Sequence, residues 1–338
     1  MSVTPLVRAA LAGALSLVSA SAFAQEGISD RKIRFGYTLS VDSAQGQGAR
    51  YFAEQVDKKS GGKIKVETFP NAVLGSDVQQ QAALQGGIQE IAVPAPSTLV
   101  GTVKEFGIFD FPFLFSRTDE AYAFLDGSVG RELLDKLNEK GLVGLVFLEN
   151  GWRHFTSSKR PITKVEDFSG QKFRTMQSPV WVDLIKTLKA TPVALPFGEL
   201  FLALESKAVD GEENPISTIY NAKFYEVQKY ISLSYHSYHP LILLVGKPFW
   251  EKLSPQEKKI FQEAAEETRT YQRGVARADE QKALGELRKS GIAINEITPE
   301  ERARLKEAAR AVTEKYAANI GQPTIDKVYA ELERLRNP

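Results

Sequence analysis

From Ile33 to Tyr37 apolar residues alternate with Arg34 and Gly36, the two-residue period of a half-buried strand. A helical pattern follows through Phe52, Ala53 and Val56 to the break Ser60-Gly61-Gly62, and alternation resumes at Ile64, Val66 and Thr68. These segments predict a β-α-β unit. The order then repeats: Val78, Ala82 and Leu84 make a helical face that leads through Gly86-Gly87 into the run Ile88 to Val93. Leu133, Leu134 and Leu137 lead in the same way through Gly141 into Val143 to Leu148. Such helix-glycine-strand alternation predicts an α/β fold with a largely parallel sheet, whose ligands bind beyond the carboxyl ends of the strands. Lys172 to Met176 and Leu241 to Val245 supply further strands.

Towards the C-terminus the period changes to that of long helices. Ser254-Pro255-Gln256-Glu257 is a capping box with proline at the first helical position, and helix-favouring residues continue to about Ser290. A helix of about 35 residues is about 50 Å long, enough to lie across two domains. Gly274 and Gly285 fall inside it, either as mild kinks or as tolerated glycines. Thr298-Pro299-Glu300-Glu301 opens another helix that ends near Ile320-Gly321.

Residues 1–24 change the picture of where this fold works. A positive head, the uncharged run Ala9 to Ala20 and the cleavage pattern Ala22-Phe23-Ala24 together predict a secretory signal cut after Ala24. The run is interrupted by Gly13, Ser16 and Ser19, which argues against a retained span. The chain has no cysteine, so an exported form must hold together by core packing, and 338 residues suffice for two domains. Loss of Arg8 from 43 basic side chains balances the 42 acidic ones, leaving no global field to attract nucleic acid or anionic lipid. Any selectivity for anions must come from a few placed residues.

Arg174 is the leading candidate for such a residue. It sits in a strand-like run between Phe173 and Met176, and a guanidinium is rarely buried unpartnered. Either a structural carboxylate or the carboxylate of a ligand satisfies its fork of donors. Catalytic patterns are weak. There is no cysteine nucleophile, no G-x-S-x-G elbow and no G-x-G-x-x-G turn, and the three histidines, His154, His236 and His239, lack dense metal-ligand spacing. No cofactor is expected. Glu212-Glu213 has the residue types of an acid–base pair, but neighbours in sequence commonly point apart, and two exposed carboxylates fit it better.

Several motifs in a fixed order carry a family resemblance from about Lys32 to Pro255. They are Phe52-Ala53-Glu54-Gln55-Val56 with Ser60-Gly61-Gly62-Lys63-Ile64, Gly170-Gln171-Lys172-Phe173-Arg174, Pro196-Phe197-Gly198-Glu199-Leu200, Val209-Asp210-Gly211-Glu212-Glu213-Asn214-Pro215, and Lys223-Phe224-Tyr225-Glu226-Val227-Gln228. In these the chain resembles the DctP-type solute-binding proteins of tripartite ATP-independent periplasmic (TRAP) transporters. The resemblance implies a two-lobed, type II-like periplasmic binding fold, each lobe a mostly parallel sheet flanked by helices, with a long helix spanning both. Residues 25–150 with about 240–279 would form lobe I, and 151–239 with about 280–338 lobe II. It implies a non-enzymatic periplasmic receptor, a monomer, that closes on an organic acid and delivers it to the small and large membrane subunits of a sodium-driven permease.

The resemblance also assigns roles. Arg174 would clamp the ligand carboxylate, with Arg153 a second contact, Asn214 a hydrogen-bonding partner and Phe197 an aromatic wall. Thr38, Ser178, Trp181, Tyr238 and His239 lie in segments expected near the pocket. The run Arg174 to Ser178 is more similar to the C4-dicarboxylate-binding members, which favours a small dicarboxylate or hydroxy acid. A sensory module that presents its ligand to a receptor shares the same pocket. A secreted hydrolase or lyase would instead use the histidines and Glu212-Glu213.

Overall fold

The computed structural model describes residues 27–337; the expected signal segment lies outside them. Arg31–Gly36 (β1), Ala44–Lys59 (α1) and Ile64–Phe69 (β2) form the expected β-α-β unit, with Ser43 Oγ capping α1 by accepting the Gly46 N–H. Asp77–Gln85 (α2) starts at a capping box of Ser76 and Gln79 and leads to the short strand Ile91–Ala92 (β3). Thr118–Asp126 (α3) and Ser128–Asp135 (α4) precede Leu142–Ser157 (β4). Lys172–Thr175 (β5), Pro179–Thr187 (α5), Thr191–Ala194 (β6), Leu200–Glu205 (α6), Gly211–Pro215 (β7) and Ile216–Asn221 (α7) follow. The chain then returns along Tyr230–Gly246 (β8), and ends in Lys247–Trp250 (α8), Pro255–Lys289 (α9), Ala293–Glu296 (β9), Pro299–Ile320 (α10) and Gln322–Arg336 (α11).

The strands make one sheet in the order β2-β1-β3-β8-β4-β7-β5-β6, with β9 also on β8. The β1–β2, β1–β3, β5–β6, β5–β7 and β8–β9 ladders are parallel, and the antiparallel ones all involve β4 or β8. These two strands are far longer than their apolar runs predict. They continue through Glu149, Arg153, His154, His236 and His239, all buried; Arg153 pairs with Glu213 on the neighbouring strand, Glu149 with Tyr122 and His239 with Asp110. Register shifts at Gly144/Val146, Glu149/Gly151 and Arg153/Phe155 bend the pair, and Glu149 faces Pro240 where it passes from one half of the sheet to the other. The result is two lobes sharing two continuous strands.

Helix α9 ties the halves together. At its start Glu257 accepts from Arg31 and from the Ser29 N–H beside β1; at its far end Ala283 and Leu287 pack with Leu204, Ile219 and Phe224. Midway, the Gln272 amide pairs with both the N–H (2.9 Å) and the C=O (2.7 Å) of Glu149 at the strand bend. The helix runs unbroken through Gly274 and Gly285, both of which have open space where a side chain would stand. Helix α11 lies against α3 and α4, where Val328 and Leu332 join the core of Phe124 and Leu133. No helix among the described residues is long and apolar enough to cross a membrane.

Gly211 shows why the run Asp210-Gly211-Glu212 needs its glycine. A Cβ there would sit 2.3 Å from the Thr156 carbonyl oxygen of β4 and 2.7 Å from the Phe173 ring of β5. No larger residue fits that approach of three strands.

Candidate functional site

Strand β5 ends at the cavity that opens between the halves of the sheet. Phe173 turns into the core beside Phe155 and Phe168, so alternation directs Arg174 the other way. Its Nε donates to the Leu195 carbonyl at 3.0 Å, which fixes the plane of the guanidinium, and both terminal nitrogens lack a protein partner among the described residues. The residue is 3 % exposed and no carboxylate reaches ion-pair distance among the described residues. Burial lowers its pKa to about 10, partly offset by the field of Glu213, so it is a cation at neutral pH. It faces a cavity that it shares with Arg153, Asn214 and Phe197.

Arg153 on β4 also lines this cavity, but its charge is already matched. Its Nε and Nη2 donate to the two carboxylate oxygens of Glu213 on the adjacent strand β7, and Nη2 reaches Asn214 Oδ1 at 3.2 Å. Its guanidinium carbon stands 6.0 Å from the Trp181 ring. Burial opposes the Glu213 charge, but Arg153 and His236 outweigh it and hold that carboxyl down to about 2. Glu212 points to the other side of β7, where Thr156 Oγ and Asn214 Nδ2 donate to it; burial nevertheless pushes it up to about 7. Both carboxylates are wholly buried, which corrects the expectation of two exposed ones. The β7 sequence supplied no apolar pattern to reveal it.

The rest of the cavity mixes neutral polar side chains with apolar ones such as Leu39, Met176 and Leu241. Asp77, the first residue of α2, accepts from the Ala95 N–H at 3.2 Å, and burial raises its carboxyl to about 6 against that bond and the nearby Arg174 charge. Thr38, Asn150, Gln177 and Thr218 line the space with side chains that make no hydrogen bond to protein among the described residues. Gln45 differs: it accepts from the Leu39 N–H and donates to the Val93 carbonyl, and so braces the wall. Phe197 forms an apolar side, 5.8 Å from Phe224 between ring centres.

Arg174, Arg153, Asn214, Phe197 and Thr38 thus line one cavity. The other four expected neighbours stand behind its wall. Ser178 Oγ donates to Asp110 at 2.6 Å, and His239 Nε2 lies 3.2 Å from the same carboxylate. Trp181 is fully buried edge-on to His236, and Tyr238 is enclosed by Phe115, Tyr122 and Trp152. Each belongs to strand or helix faces turned into the core. Sequence reasoning missed Asp77, Asn150, Gln177 and Thr218. The Ser76-Asp77-Val78-Gln79 capping box marks the helix start that aims Asp77, and Gln177 lies inside the Arg174 to Ser178 run; for Asn150 and Thr218 no local signal exists. No group of three or more metal-ligating side chains occurs among the described residues.

Residues 35–319 match the family described as bacterial extracellular solute-binding protein, family 7. The C4-dicarboxylate-binding protein DctB of Bacillus subtilis is 36% identical over 89% of this chain and 87% of its own length. Among solved structures, the sugar acid binding protein DctPAm of Advenella mimigardefordensis, in complex with galactonate, superposes with a TM-score of 0.89 at 42% identity, over 91% of this chain and 99% of that one. A TRAP periplasmic solute-binding protein of Polaromonas bound to D-erythronate gives 0.84 at 37% identity, covering 88% and 97%. These are binding proteins, and this chain shares their fold. The chain belongs to the DctP-type extracellular solute-binding proteins of TRAP transporters.

Proposed function

We propose that this solute receptor takes a hydroxylated monocarboxylate, a sugar acid, in preference to a C4-dicarboxylate, and delivers it to a sodium-driven TRAP permease. The observation that carries this reading is the pairing of one unmatched guanidinium, Arg174, with one carboxylate, Asp77, in the same cavity. Arg174 offers two parallel donors to a ligand carboxylate. Asp77 repels a second carboxylate but accepts hydroxyl donors, and Thr38, Asn150, Gln177 and Thr218 have free hydrogen-bonding capacity for a polyhydroxy chain. Arg153 cannot serve a second carboxylate as a full charge, because Glu213 already neutralises it. The sugar acids bound by the two solved relatives support the same class.

The strand bend at Glu149 and Pro240, held by Gln272, is the place about which the lobes would close. Closure strips water from Arg174 and strengthens its bond to the acid. Thermal unfolding of the protein with galactonate, erythronate, succinate and malate tests the assignment. An acid at about 100 times its dissociation constant adds about 2.7 kcal/mol of stability. Sugar acids raising the midpoint well above succinate support the reading; succinate alone raising it overturns the preference.

A further inference from the structure

Trp152 and Arg153 are consecutive on β4, yet they serve different spaces: Arg153 lines the cleft, while Trp152 lines a second, open groove. Phe113, Phe115 and Tyr235 complete an aromatic floor there, and Trp152 Nε1 is fixed by donation to Thr118 Oγ at 3.0 Å. Phe113 (φ 58°) and Tyr235 (φ 50°) both hold the left-handed backbone conformation, which bulky side chains rarely adopt and which concentrates at functional surfaces. The Phe113 N–H donates to the His236 carbonyl at 2.8 Å, locking one of them to β8.

The groove's charged lining is entirely basic: Arg117, Arg302, Lys306 and Arg336. Arg117 pairs with Asp119 and Arg336 with Glu120, but Arg302 and Lys306 on the first turns of α10 have no carboxylate partner among the described residues. Arg302 instead stands 5.8 Å over the Tyr235 ring. Glu280 and Glu296, which act on the Tyr235 hydroxyl, are not part of the groove wall. The groove is open along the surface rather than enclosed. Aromatic and arginine side chains gathered around a desolvatable floor are the composition of protein interfaces.

We propose that this groove docks an acidic segment of a partner protein that also carries aromatic or leucine side chains. The carboxylates would meet Arg302 and Lys306, and the apolar side chains would cover Trp152 and Tyr235. The proposal is independent of the cleft's ligand.

A fluorescein-labelled dodecapeptide alternating Glu with Leu and Phe is the probe, with its Lys-for-Glu counterpart as control, read by fluorescence anisotropy at about 50 mM NaCl. The acidic peptide is expected to saturate with a dissociation constant below about 1 mM, and the basic one not to bind. The double variant Arg302→Glu with Lys306→Glu, both positions on the helix surface, should weaken binding at least about tenfold while its melting temperature stays unchanged. Arg174→Ala, in the cleft, should leave peptide binding intact. Absence of saturable binding, or equal binding by the charge-reversed variant, overturns the proposal. Displacement of the peptide by free phenylacetate at equal concentration overturns it as well, by making the groove a small-molecule site.

Discussion

Arg153 Nε and Nη2 grip the two carboxylate oxygens of Glu213 across neighbouring strands, with both side chains 1 % exposed. Breaking a buried pair from one side leaves an uncompensated charge and costs about 3–5 kcal/mol. Glu213→Gln should therefore lower stability by about that much in urea unfolding. A loss under about 1 kcal/mol would mean that water or another acid compensates Arg153.

Asp77 and Arg174 face one cavity with opposite charges, and under the proposed function this pairing would set the ligand class. Asp77→Asn keeps the shape and hydrogen-bonding reach but removes the repulsion. Calorimetric titration should show galactonate affinity falling about tenfold and succinate affinity rising. In the native protein a dicarboxylate would have to bind with a proton on Asp77, so its affinity should climb as pH falls through about 6. Flat succinate affinity from about pH 7 to 5 would remove Asp77 from the selectivity.

Glu212 supplies a stability signature. Its folded pKa of about 7 lies above the ordinary 4.5, so the folded state holds a proton that the unfolded chain has released between those values. Its contribution is full below about pH 4.5 and is lost as pH rises through 7. Burial holds His154 down to about 3 from 6.5, and this works in the opposite direction, weakening the fold as pH falls from 6.5 towards 3. Glu212→Gln removes only the first effect. The variant's stability deficit should shrink steadily from about pH 5 to 8, and a pH-independent deficit would show that Glu212 does not titrate in this window.

Gly211→Ala forces a methyl group into the Thr156 carbonyl and the Phe173 ring. Overpacking of this kind costs about 1–3 kcal/mol or more, so the variant should unfold at clearly lower denaturant and blur the β4–β7 register. Wild-type stability would show that β7 can shift away.

The β-α-β unit, the long helix and its capping box were legible because burial follows period and the caps are local. Arg174 was legible because a charge interrupts a strand pattern beside Phe173. What stayed hidden lies in β4, β7 and β8. There Arg153 meets Glu213 and Asn214, and His154 the Tyr235 N–H, across 60 to 81 positions of sequence, and no local pattern encodes such partners. The same network explains why Tyr238 and His239, close to the cleft in sequence, belong to the wall behind it. Asn150 and Thr218 reach the cavity only because the strand bend and α7 bring them there.

Titration calorimetry of galactonate into the native protein and into Arg174→Ala tests the carboxylate clamp most directly. Two charge-assisted bonds of about 1.5–3 kcal/mol each predict at least a hundredfold, or about 3 kcal/mol, loss of affinity in a variant that remains folded. Binding by Arg174→Ala within about threefold of the native protein would contradict it and place the acid elsewhere in the cleft.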